Sequence, residues 1–218
     1  MTTFPYPLVI FDLDGTLVDS AGDIAEALNR TLEQWGLPRV PETRVHDWIG
    51  DGVRRLVELA FAAAGSDASI DAVMPGFMRH YEACLLRSPR LFDGVREALA
   101  ALRARGVELA ICTNKPERFI APLLAHFGIE PLFSAWLGGD SLPERKPSGT
   151  PLRHLAQRFG HPPAACLMVG DSATDTAAAR AAGMPLALVS YGYPRGLDLR
   201  HADAVAVVDD LRELPGLV

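Results

Sequence analysis

Short apolar runs alternate with stretches of helical periodicity over most of the chain. Residues 8–11 form the first run and end in a polar turn, the pattern of a strand buried on both faces of a parallel sheet. Further runs at 108–112, 135–137, 166–169, 186–189 and 204–208 predict the remaining strands. The spacing of Val95, Leu99 and Leu102 predicts a helix that ends at Gly106, and helices are expected at 117–127, 152–159 and 173–182. Thr150 and Pro151 occupy the favoured places of an N-cap and a first helical residue, and Gly183 that of a C-terminal stop.

The stretch 20–87 breaks this alternation. Ile24, Leu28, Thr31, Leu32 and Trp35 fall on one helical face closed by Gly36. Apolar stripes recur at 53–64 and 73–86, with Met74, Phe77 and Met78 expected to pack inside. Strands alternating with helices make a parallel sheet covered on both faces. The expected fold class is therefore α/β: a Rossmann-like parallel sheet core made of 1–19 and 88–218, with an all-helical cap inserted at 20–87. Ligands of open α/β sheets sit at the carboxyl ends of the strands. Chemistry should then follow the strands directly.

Composition narrows the partner. The chain has 218 residues, 49% of them hydrophobic, enough to bury a core without disulfide or metal staples. Cys84, Cys112 and Cys166 form no paired framework and no C-x-x-C, so a reducing, cytoplasmic setting is expected. The first residues carry no basic region, and no apolar run is long enough for a signal peptide or a membrane span. A formal net charge of −6 argues against a nucleic-acid surface, which needs clustered positive charge. The expected partner is a small molecule. Among 21 lysines and arginines only Lys115 and Lys146 are lysines, which singles both out.

The strand ends carry the expected cluster. Asp12-Leu13-Asp14-Gly15-Thr16 follows the first strand, with two carboxylates spaced to point the same way in an extended chain and a glycine to turn the backbone around an anion. Thr113-Asn114-Lys115 follows the next, Lys146-Pro147 precedes a helix, and Gly170-Asp171-Ser172 leads to Asp175. Two unit charges about 4 Å apart repel by roughly 4 kcal/mol at an effective dielectric near 20. Four ionised acids therefore need a cation, and hard oxygen donors with no His or Cys suit magnesium. A carboxylate can attack phosphorus, and a second acid can protonate the leaving alkoxide and later deprotonate water. A calcium loop is excluded because Leu17 stands where it needs glycine. Lys115 is expected to face solvent at a helix start, and the helix beginning near Gly52 to offer amide donors to a substrate or only a cap turn.

In order, Asp12-x-Asp14-Gly15-Thr16, Thr113, Lys146-Pro147 and Gly170-Asp171-Ser172-x-x-Asp175 resemble the four motifs of the haloacid dehalogenase superfamily, over essentially the whole chain. The resemblance implies Asp12 as nucleophile and metal ligand, and Asp14 as general acid and base that lends its backbone carbonyl to the metal. It implies Thr113, Asn114 and Lys146 as phosphate contacts, Lys146 also holding the nucleophile. It further implies Asp171 as a direct Mg2+ ligand, with Gly15, Thr16 and Asp175 in support. Trp48-Ile49-Gly50-Asp51-Gly52-Val53-Arg54, Leu91-Phe92-Asp93-Gly94-Val95 and Tyr191-Gly192-Tyr193 are similar to bacterial phosphoglycolate phosphatases, apart from Asp93, where that group is expected to carry proline. The implied substrate is 2-phosphoglycolate. A phosphatase for another small substrate (a sugar phosphate, a nucleotide or pyrophosphate), a phosphomutase, and a non-catalytic binding module stand as alternatives.

Overall fold

The computed structural model describes residues 4–217. In chain order the elements are β1 (Leu8–Phe11), β2 (Val18–Asp19), α1 (Ala21–Gln34), α2 (Glu42–His46), α3 (Val53–Ala63), α4 (Ile70–Cys84), β3 (Arg90–Leu91), α5 (Val95–Ala104), β4 (Glu108–Cys112), α6 (Ile120–His126), β5 (Ala135–Leu137), α7 (Thr150–Arg158), β6 (Cys166–Gly170), α8 (Ala173–Ala182), β7 (Leu186–Val189) and β8 (Ala206–Val208). Six strands form one sheet in the order β5-β4-β1-β6-β7-β8, every neighbouring pair parallel.

The continuous apolar character of β1 has a direct structural reason. Val9 and Phe11 face one side with Leu167, Val169, Leu109 and Ile111. Leu8 and Ile10 face the other with Cys166, Met168 and Ala110. All four β1 residues are fully buried, as a central parallel strand between two helical layers requires. The chain runs from β1 to β4 and β5 on one side and returns to β6, β7 and β8 on the other. The carboxyl end of β1 is thus the topological switch point, where the crevice of an open α/β sheet lies.

Helices α1 to α4 build a second core around Leu28, Leu32, Val57, Phe61, Phe77 and Tyr81. A two-stranded antiparallel ribbon, β2 with β3, ties the entry and exit of this block together, an element too short to register in the hydrophobic pattern. Met74 and Met78 pack at its margin and Phe77 at its centre, in line with expectation.

Several boundaries differ. Trp35 lies just past α1 and is 39% exposed rather than buried on its face. The stretch 117–127 divides into a 3-10 turn, Glu117–Phe119, and α6. Thr150 is already helical, with Gly149 at the cap. Its hydroxyl instead accepts from Ser148 and Arg153 and donates toward Glu144. At α8 the N-cap is Ser172, whose hydroxyl accepts from the Asp175 N–H while the Asp175 carboxylate accepts from the Ser172 N–H, a reciprocal capping box. The three cysteines are free and buried. Among the described residues no helix is long and apolar enough to cross a membrane.

Candidate active site

The residues singled out in sequence converge at the ends of β1, β4 and β6. Asp12 follows β1, and its N–H donates to the Val169 carbonyl of β6 at 2.9 Å, which fixes the turn. Its carboxylate accepts from the Leu13 N–H at 2.7 Å and pairs with Lys146 Nζ at 2.9 Å. Lys146 also donates to Asp175 at 2.6 Å and is buried to within 2%. Asp175 accepts further from the N–H groups of Asp171 and Ser172. It is a fully buried anchor, not a solvated helix residue.

Asp171 is fixed on both oxygens. Thr16 Oγ1 donates to one at 2.6 Å and the Tyr193 N–H to the other at 2.8 Å. Gly15, at φ +91°, spends its N–H on Val18, so it is not an anion donor. Its role is closeness: a Cβ there would collide with the Asp171 carboxylate and the Tyr193 ring. Gly192 is under the same constraint from Asp171 and the Gly15 carbonyl. The Tyr191-Gly192-Tyr193 stretch thereby gains a physical reason. Tyr191 Oη donates to the Thr16 carbonyl and Tyr193 Oη to Asp19 at 2.6 Å, clamping the β1 turn from the C-terminal side.

Asp12, Asp171 and Asp175 present oxygens that all lie within 4.8 Å of one another. Burial pushes Asp12 up from 3.8 to about 6, with Lys146 opposing the rise and Asp175 adding to it. Burial, then Asp175 and Asp12, hold Asp171 well above the ordinary carboxylate range. One ammonium does not neutralise this cluster. Its hard oxygen donors and surplus negative charge fit a divalent cation, and Asp12 and Asp171 are the members that would hold it, because Asp175 is already committed to Lys146 and α8. The Asp14 carboxylate stands apart from this group and faces Lys115 and Ser20 instead.

Two sequence expectations change. Lys115 does not face solvent. Its side chain is 1% exposed, with Nζ 2.9 and 3.2 Å from the Asp14 oxygens, and it donates to Tyr81 Oη of α4. Burial alone would depress its pKa, but Asp14 and Tyr81 more than offset that and hold the ammonium above its ordinary value. Asn114 lies in the site yet spends its side-chain N–H groups on the Gly50 and Lys146 carbonyls. It straps the helical block to the Lys146 loop, and its amide hydrogens are not free for phosphate. Thr113 Oγ1 accepts from the Lys115 N–H, leaving its own hydrogen to donate.

Sequence reading missed the second strap. Arg195 Nη1 donates to Asp51 Oδ1 at 2.8 Å, and Thr174 Oγ1 donates to the same oxygen at 2.8 Å. Arg195, foremost, holds the Asp51 carboxyl below its usual range. The pair joins the turn before α3 to the loop after β7, regions 144 residues apart in sequence. Between the helical block and the strand ends lies a cavity of about 40 Å³ walled by Asp12, Asp14, Thr113, Lys115, Tyr81 and the apolar Ile24, Ile49, Val53 and Leu56.

Residues 6–183 match the model of the haloacid dehalogenase-like hydrolases. The chain belongs to this family. It is 46% identical to a plasmid-encoded phosphoglycolate phosphatase of Cupriavidus necator, over 99% of this chain and 94% of that one. It is 41% identical to the phosphoglycolate phosphatase of Thiobacillus denitrificans, over 98% and 96%. The crystal structure of a predicted phosphoglycolate phosphatase from Haemophilus somnus 129PT superposes with a TM-score of 0.90 at 37% identity, covering 96% of each chain. The expected parallel-sheet fold and family resemblance are both borne out.

Proposed function

We propose that this hydrolase cleaves a small phosphate monoester, 2-phosphoglycolate in preference, to glycolate and phosphate. The observation that supports it best is the buried carboxylate of Asp12, paired with the Lys146 ammonium, meeting a second, separately held carboxylate, Asp14, on the wall of a cavity of about 40 Å³. With the helical block docked, a cavity this narrow favours a compact phosphate ester over a sugar phosphate.

An oxygen of Asp12 attacks phosphorus in line with the ester oxygen. The new O–P bond makes an aspartyl phosphate as the old P–O bond breaks. Lys146 holds Asp12 in position and balances charge on the phosphoryl oxygens, and the Thr113 hydroxyl donates to one of them. Asp14 gives its proton to the departing alkoxide, then takes one from water as that water attacks phosphorus and frees Asp12. Magnesium, held by Asp12, Asp171 and the Asp14 carbonyl, would supply positive charge against the phosphoryl group. We take 20–87 to act as a cap on the core of 1–19 and 88–218. Its straps through Asn114 and Asp51 keep bulk water from the acyl phosphate. The intact pair of acids, Asp12 and Asp14, favours catalysis over a binding module.

Ranking phosphorylated metabolites by kcat/KM in Mg2+ tests the substrate. Phosphoglycolate is expected at the head, above sugar phosphates, nucleotides and pyrophosphate; a sugar phosphate at the head would replace this reading.

Metal binding has a thermal signature of its own. The folded-state pKa of Asp12 is raised, so the stability it contributes is complete below about 4 and lost as pH climbs through about 6. Asp171 acts in the same direction. Mg2+ at about 100 times its Kd stabilises by about 2.7 kcal/mol, some 5–10 °C in a chain of this size. The rise in Tm is expected to be larger at pH 7.5 than at pH 5, and Asp171→Asn is expected to lose most of it. Equal shifts at both pH values, or an undiminished shift in the variant, would place the cation elsewhere.

A further inference from the structure

Lys146 belongs to the phosphoryl end of the site: it pairs with Asp12 and Asp175 and forms no part of the cavity wall. The sole cation on that wall among the described residues is Lys115. A lysine buried this completely loses its hydration, so the fold must repay the desolvation with specific partners. Asp14 is one. The other is Tyr81, which comes from α4 of the helical block and is itself 1% exposed.

The donors around this pair are incompletely used. The ammonium has three hydrogens. They serve two partners, Tyr81 Oη and a single carboxylate whose second oxygen is held only at 3.2 Å. The Tyr81 oxygen accepts from Lys115, and its own hydrogen has no acceptor among the described residues. Both groups line the cavity, next to Ile24, Ile49 and Leu56. An ammonium and a phenol hydroxyl with hydrogens to give, on the same wall as the apolar Ile24, Ile49 and Leu56, match the two oxygens of a carboxylate. The nearby arginines offer no substitute. Arg54 pairs with Asp71, Arg195 with Asp51, and Arg145 lines outer grooves rather than this cavity.

We propose that Lys115 and Tyr81 together form the subsite that recognises the carboxylate of the substrate, which makes Lys115 the specificity-determining residue. The inference rests on the reading of the chain as a phosphatase for a small phosphorylated acid, and deepens it. On substrate arrival the carboxylate replaces the longer Asp14 contact and accepts from Tyr81. Lys115 comes from the core and Tyr81 from the helical block, so the subsite exists only while the two are docked. Selection for a carboxylate and exclusion of water are then one event.

A matched pair of substrates tests it: 2-phosphoglycolate and ethyl phosphate, which differ at the carboxylate alone. Their kcat/KM values are to be measured for the wild type, Lys115→Met and Tyr81→Phe, each with a melting curve. Both rates fall in Lys115→Met to the extent that Asp14 loses its partner, so the ratio between the two substrates is the readout. It is expected to favour phosphoglycolate in the wild type, to drop by about 10- to 100-fold in Lys115→Met, and to drop by several-fold in Tyr81→Phe. A wild-type preference that survives Lys115→Met intact overturns the subsite and leaves the substrate reading standing. A wild type that does not distinguish the two esters overturns both. If Lys115→Met fails to fold, Tyr81→Phe decides, since an unchanged ratio there removes the hydroxyl from recognition and the proposal with it.

Discussion

Replacing Asp12 with Asn is expected to lower kcat by at least about 10⁴-fold while leaving the melting temperature unchanged or somewhat higher. The two halves of this expectation come from one piece of geometry. In the proposed mechanism Asp12 is the carboxylate that attacks: it follows β1, at the switch point of the sheet, and Lys146 fixes it at 2.9 Å. An amide in its place is a far weaker nucleophile and forms no stable phosphorylated intermediate. The same carboxylate is a burden on the fold, because burial and Asp175 raise its pKa to about 6. An amide of the same shape can still accept from Lys146 and the Leu13 N–H, and it removes one negative charge from a group of three whose oxygens lie within 4.8 Å. Steady-state kinetics with phosphoglycolate and with para-nitrophenyl phosphate, alongside thermal melts, measure both halves. Substantial turnover in the variant, with the wild-type metal requirement intact, would falsify the covalent route. A loss of activity accompanied by a collapse in Tm would reassign Asp12 to a structural role.

The contrast between Asp12 and Lys115 shows where sequence reading stops. Asp12, Asp14, Thr113, Lys146, Asp171 and Asp175 were legible because each follows or supports a strand of the central sheet, and a parallel sheet brings its strand ends to one edge whatever the loops do. The strands themselves were legible because β1, β4 and β6 are buried on both faces and so carry apolar runs, interrupted only by Glu108 at the start of β4. Lys115 lies only two residues from Thr113, yet its direction depends on Tyr81 arriving from a helix 34 residues away. Nothing in local spacing encodes that meeting. The scarcity of lysine was the one available signal, since a chain that otherwise uses arginine had kept a lysine there. The Asp51–Arg195 pair is further removed, joining two turns that no hydrophobic period describes. Gly15 was legible in part: the turn expected of it is there at φ +91°, but the Asp171 side chain pressed against it, a contact 156 residues distant, had no local signal.

Lys146→Met is expected to damage both stability and catalysis, in contrast to Asp12→Asn. Lys146 is the one ammonium placed between Asp12 and Asp175, and its side chain is 1% exposed. Both carboxylates hold the ammonium above its ordinary pKa even though burial opposes this, so it stays charged at every working pH. Methionine fills similar volume without the charge and leaves buried carboxylates uncompensated. Removing one partner of a buried ion pair costs about 3–5 kcal/mol, which is about 10 °C or more in Tm for a chain of this length. The cost is expected to shrink as pH falls toward 6, because Asp12 without Lys146 to lower its pKa takes up its proton above the wild-type value of about 6, and a neutral carboxyl needs no counter-charge. Catalysis does not recover in parallel, since a protonated Asp12 is no nucleophile. The variant should therefore regain part of its Tm at low pH while kcat stays reduced by about 10³-fold or more. Melts and initial rates from pH 5 to 8, in saturating Mg2+ and without it, separate the two effects. Equal destabilisation across that range would mean that the ammonium supports the fold through packing alone, and activity returning as pH falls would remove it from phosphoryl transfer.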